Sequence, residues 1–167
     1  TEVRGDCRTL YPTRPVTAGS STRAPVEVDD MTHALLRFEN GVSGSIEANW
    51  AATGRTMDLS WEITGSKGAI AFSQENMNEL LVHTRTTGGA GFARIEAGPM
   101  HPPYGNFCPA PGHHLGFNEL KVIEVAELLA AHAGGPAATP DFREAFEVQK
   151  TVEAIQSSSA SRSWVRV

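Results

Sequence analysis

Two adjacent histidines, His113 and His114, stand just ahead of a helical pattern that begins at Phe117. They close a stretch from Gly98 to Gly116 that is dense in proline and glycine and has no periodicity. A loop of that length inside a compact domain is usually functional or disordered. Imidazoles at a helix start lie beside N–H groups that have no partner within the helix, a setting that favours anions and hydroxylated ligands. One of the pair is therefore expected to line a substrate site; the blander reading is a histidine that only caps or hydrogen-bonds the loop. The stretch also holds His101 and Cys108. Four such side chains could in principle ligate zinc, but their spacing follows no common structural-zinc pattern and no second pair closes the site, so no metal is expected. A second candidate is Trp50, with Arg55 five residues on. An indole stacks on the C–H face of a polyol and a guanidinium donates to its hydroxyls. Core packing is the competing expectation for that tryptophan.

No Gly-x-Gly-x-x-Gly follows a strand, and neither a Gly-x-Ser-x-Gly elbow nor a phosphate-binding loop is present. The carboxylates read as scattered singly on polar faces. The residues by themselves assemble no complete catalytic constellation, and no catalytic or cofactor-binding residue is assigned.

Strands must position these side chains over the first three-quarters of the chain. Residues 2–11 read as a strand, followed by a Thr/Pro/Gly/Ser-rich loop to Pro25. From Asp30 the alternation sets Thr32, Ala34, Leu36 and Phe38 on one face against Met31, His33, Leu35 and Arg37 on the other. Asn40-Gly41 then predicts a tight hairpin turn with positive φ at both central residues. The return strand places Val42, Gly44, Ile46, Ala48 and Trp50 on one side. Further strands are expected at 56–64, 69–73, 79–85 and 93–97, with a glycine-rich turn over Thr86–Gly91. The period changes after Phe117, where Val122, Val125, Ala126, Leu129 and Ala133 share a helical stripe that stops at Gly134-Gly135-Pro136. A second helix is expected with Thr139 as its cap and Pro140 at its first position, carrying Ala145, Val148, Val152 and Ile155. Trp164–Val167 reads as a closing strand.

The expected fold is α+β: a large, mainly antiparallel, open-faced sheet with two C-terminal helices packed on one face, as a single domain over residues 1–167. The polar sheet face carries Met31, Leu35 and Leu81 among small residues such as Ser43 and Ser45. It is either a solvated surface or the face on which two copies pack.

The 167 residues carry 14 Lys+Arg against 19 Asp+Glu, a formal charge of −5, with 40% hydrophobic residues. That composition supplies a core and excludes an extended disordered chain. It offers no basic cluster for a nucleic-acid backbone. No apolar run approaches the roughly 20 residues of a membrane span. Two cysteines, Cys7 and Cys108, do not make a secreted disulfide framework. A cytoplasmic soluble domain is the simplest expectation.

The run from Asp30 to Trp50, with its Phe38-Glu39-Asn40-Gly41 hairpin, resembles the C-terminal domain of the glucose–fructose oxidoreductase/inositol dehydrogenase family (Gfo/Idh/MocA). So do the strands around Glu62-Ile63-Thr64-Gly65-Ser66-Lys67-Gly68-Ala69-Ile70, the Gly112-His113-His114-Leu115-Gly116-Phe117 helix start, Pro140–Ala145, and Trp164–Val167. The resemblance covers essentially the whole chain. It implies an N-terminal Rossmann domain upstream that binds NAD or NADP, and hydride transfer to or from a sugar, inositol or similar polyol. It further implies homo-oligomerisation through the open sheet face. The family's catalytic lysine and histidine have no counterpart here, so the resemblance assigns no catalytic residue and no cofactor to this chain. It does imply part of a substrate pocket, for which Trp50, Arg55, His113 and His114 are the candidates. A complete, non-catalytic binding or scaffolding module is the main rival, and a small metal-dependent hydrolase built on His101–His114 is the third reading.

Overall fold

Alternating short strands dominate the computed structural model, which describes residues 1–86 and 90–167. The strands are β1 (Glu2–Arg8), β2 (Thr13–Pro15), β3 (Arg23–Pro25), β4 (Met31–Arg37), β5 (Ser43–Asn49), β6 (Ser60–Gly65), β7 (Gly68–Ser73), β8 (Glu79–Thr84), β9 (Ala93–Glu96) and β10 (Val165–Arg166). The helices are α1 (Phe117–His132) and α2 (Phe142–Ser161). The α+β class, mainly antiparallel with two C-terminal helices, is as the sequence predicts. The strands do not run as one ladder, however. They form a four-stranded sheet β10-β1-β4-β5, a β2-β3 ribbon and a second four-stranded sheet β6-β7-β8-β9. The expected strand at 56–64 starts only at Ser60, and the turns between Trp50 and Leu59 interrupt the pairing. The chain falls into two compact units, residues 1–54 with 139–167, and residues 55–138. Part of the expected Thr86–Gly91 turn, residues 87–89, lies outside the described residues.

In the first unit the register explains the core. Val3 pairs with Leu36 and Gly5 with Ala34 across β1 and β4, so the four share one face. Ala154 and Ile155 of α2 cover Val3, Ala34 and Leu36, with Cys7, Val165 and Val167 at the margin. Gly5 is required there: a Cβ at that position would lie 2.4 Å from the carbonyl oxygen of Ile155. β10 pairs only with Glu2 and Val3, so the outer edge of β1 beyond them needs other partners. Two serine hydroxyls of α2 supply them. Ser158 Oγ accepts from the Gly5 N–H at 2.9 Å and Ser159 Oγ from the Cys7 N–H at 2.8 Å. Ser158 is fully buried and donates its own O–H to the Ser163 carbonyl.

Three local features depart from the sequence reading. The hairpin after β4 has a three-residue loop, with the Gly41 N–H on the Phe38 carbonyl and the Phe38 N–H on Val42. Only Gly41, at φ +84°, takes positive φ, because a type I turn followed by a left-handed glycine leaves Asn40 in ordinary space. The cap of α2 is Asp141, not Thr139. Its carboxylate accepts the Glu144 N–H at 2.9 Å while Glu144 accepts the Asp141 N–H at 2.9 Å, a reciprocal pair that Thr139 has no way to make. Finally, only the C-terminal half of α2 is covered by strands. Val148 and Val152 remain 64% and 41% exposed, and the Val122, Val125 and Leu129 stripe of α1 is more than half exposed. Among the described residues no helix is long and apolar enough to cross a membrane.

Candidate functional site

In the second unit the proline-rich loop is a folded object. Gly98 is buried, and its N–H donates to His101 Nδ1 at 3.1 Å, which places the proton of a neutral His101 on Nε2. The chain then tightens through Tyr104 N–H to the His101 carbonyl and Cys108 N–H to the Tyr104 carbonyl, each at 2.8 Å. Cys108 is 2% exposed. Burial, and after it the nearby Cys108 thiol, pushes the Tyr104 phenol above its ordinary value. A compact loop whose ends lie close together is a frequent carrier of function.

Both ends of this loop meet at one residue. Asn78, between a single 3₁₀ turn (Gln74–Asn76) and β8, accepts the Ala97 N–H on its backbone carbonyl at 2.8 Å. Its side-chain amide makes a two-point contact with Leu115: Nδ2 donates to the Leu115 carbonyl and Oδ1 accepts the Leu115 N–H, both at 3.0 Å. Leu115 is 4% exposed, whereas His113 and His114 immediately before it are exposed. The two histidines thus project from an anchored stem. At the helix start, the Glu119 carboxylate already takes the Gly116 N–H at 2.8 Å. The negative charge that a helix N-terminus favours is therefore supplied from within the chain.

Arg55 lies in the same unit, with Nε 3.3 Å from Asp58 and an Nη 3.6 Å from Glu75. Its charge is balanced by two carboxylates while the side chain stays largely exposed, which leaves N–H donors for a neutral partner. Trp50 belongs to the first unit and is 83% exposed, so it is not the core residue that competed with the pocket reading. Its backbone N–H is held at 2.9 Å by the carbonyl of Asp30.

Asp30 is the residue that pattern reading passed over. Its side chain is only 2% exposed. It accepts the N–H groups of Leu10 at 2.8 Å and Tyr11 at 2.9 Å and pairs with Arg14. Those N–H groups, Tyr11 foremost, and the Arg14 guanidinium hold its carboxyl below the usual aspartate value against the opposing effect of desolvation. Among the described residues no cluster of three or more His, Cys, Asp or Glu could hold a metal ion.

A profile described as the GFO/IDH/MocA C-terminal domain matches residues 1–71. Levoglucosan dehydrogenase of Pseudarthrobacter phenanthrenivorans is 36% identical over 154 residues, 91% of this chain. The chain is similar to the GFO/IDH/MocA family through that C-terminal domain. A structure of levoglucosan dehydrogenase in complex with NADH and L-sorbose superposes at TM-score 0.91 and 35% identity over 99% of this chain. An oxidoreductase domain protein from Kribbella flavida superposes at TM-score 0.89 and 38% identity over 98%. The chain spans 40% of the curated relative and 44% and 43% of these two solved chains. The match falls in the C-terminal part of those longer proteins.

Proposed function

We propose that the chain is the substrate-binding and oligomerisation domain of an NAD- or NADP-dependent dehydrogenase that acts on a sugar, inositol or similar polyol. The observation that carries this reading is the 36% identity, over 91% of the chain, to levoglucosan dehydrogenase. The complex of that relative with NADH and L-sorbose points the same way. On this reading a Rossmann domain N-terminal to the segment holds the cofactor and the acid/base groups. The hydride then passes between nicotinamide and a polyol carbon outside this chain. The chain's own work is to bind and orient. Within the second unit, His113 and His114 offer exposed imidazoles on the stem anchored at Leu115 and Arg55 offers the donors its carboxylates leave unused; within the first, Trp50 by itself offers a flat apolar ring. The charges of Arg55 and of the α1 start are already balanced, which suits an uncharged hydroxylated ligand better than an anion.

The partner on the open sheet face is a second copy. Cross-strand register sets Glu2 beside Arg37, His33 between Asp6 and Glu47, and Leu35 between Arg4 and Ser45. A face of mixed sign with an exposed leucine at its middle complements its own two-fold image. On this reading we place the protein in the cytoplasm.

The test is NADH or NADPH formation by the full-length protein with levoglucosan, sorbose and myo-inositol as probe substrates, beside this segment alone. Turnover by the full-length protein and none by the segment is expected. Failure of every sugar and polyol to reduce either nucleotide would remove the reading.

A further inference from the structure

We infer that Asn78 is a positioning residue for the substrate site, and that it does this by closing the 98–114 loop at both of its ends. The inference rests on the reading of His113 and His114 as pocket residues and adds the device that holds them. A flexible loop of this length would leave two exposed imidazoles free to sample many positions, and binding would then cost the entropy of ordering them. Here the loop leaves β9 through Ala97, whose N–H sits on the Asn78 carbonyl, and returns through Leu115, whose N–H and carbonyl are both held by the Asn78 side chain.

The side-chain half of that contact imitates one rung of a β-ladder. It uses a donor and an acceptor in one plane, which among short side chains only an amide offers. Leu115 itself is buried, so the rung is protected from competing water. His114 is the next residue, one peptide unit from a fixed point, and the Gly116 cap of α1 is fixed on the other side by Glu119. Among the described residues the Asn78 side chain bonds to Leu115 and to none of the candidate pocket side chains, so its influence passes through the Leu115 backbone.

The two halves of the clamp separate experimentally, because only the Leu115 contacts use the side chain. Asn78→Ala should leave the Ala97 amide protected from hydrogen exchange and expose the Leu115 amide. In the full-length enzyme, with the sugar it oxidises best, KM should rise about tenfold with kcat within about twofold, the signature of weakened ground-state placement. Asn78→Asp keeps the acceptor for the Leu115 N–H but sets a second acceptor against the Leu115 carbonyl, so its KM should rise at least as far as that of alanine. If His113→Ala or His114→Ala raises KM and Asn78→Ala does not, the positioning role is overturned while the pocket reading stands. If neither histidine nor Asn78 affects KM, the pocket reading fails and takes this inference with it. Should Asn78→Ala expose both amides, the unit has opened, and Asn78→Asp is judged by the same two criteria.

Discussion

A carboxylate as secluded as that of Asp30 stays charged only because its acceptor sites are filled by the N–H groups of Tyr11 and Leu10 and by Arg14. The consequence for stability has a definite sign. Its folded-state pKa is lowered from the ordinary value near 3.9. The stabilisation is therefore fully present above that ordinary value and is lost as pH falls through the lowered one. Denaturant melts from neutral pH toward pH ~3 should show wild type losing stability more steeply than Asp30→Asn, which has given up the charge at every pH. Parallel curves would refute this. Asp30 also shows what residue-by-residue reading can and cannot find. His113, His114 and Arg55 stood out by type and by neighbours, and Trp50 by its place at a strand end. Asp30 looked like one more polar residue ahead of a strand, since its partners lie about twenty positions earlier. Asn78 carried no signal at all, because its partner Leu115 is 37 positions away.

At the scale of elements, period and turn chemistry carried the bounds of β4, β5 and α1 to within a residue or so, because each has a single strong pattern and a glycine stop. The cap of α2 was misplaced because Pro140 at a first helical position is a weaker device than the Asp141–Glu144 reciprocal pair three residues apart. Gly5 went unremarked in the sequence; its reason is the helix backbone lying against it. Gly5→Ala should therefore destabilise the first unit by about 2 kcal/mol, as overpacking against an unyielding carbonyl does. Thermal or urea unfolding checks it, and an unchanged midpoint would mean that α2 does not press on β1. Arg162 takes the left-handed conformation at the end of α2, with φ 54°. Arg162→Gly should raise stability by roughly 1 kcal/mol, since glycine carries no Cβ penalty there.

At the scale of the whole molecule, the fold class was readable from alternation followed by helical period, but the division of the strands into two sheets was not. Pairing partners across an unpaired stretch such as 50–59 are set by tertiary contacts and leave no periodic trace. The open face of the first sheet belongs to this scale too. Leu35 is 53% exposed at its middle. Leu35→Arg should weaken self-association in sedimentation experiments without lowering the melting temperature of the monomer. Unaltered association would place the interface elsewhere. The most direct test of the account concerns the site itself: steady-state kinetics of His113→Ala and His114→Ala in the full-length enzyme. The account predicts that at least one raises KM for the sugar about tenfold with kcat nearly unchanged; wild-type KM values in both would contradict it.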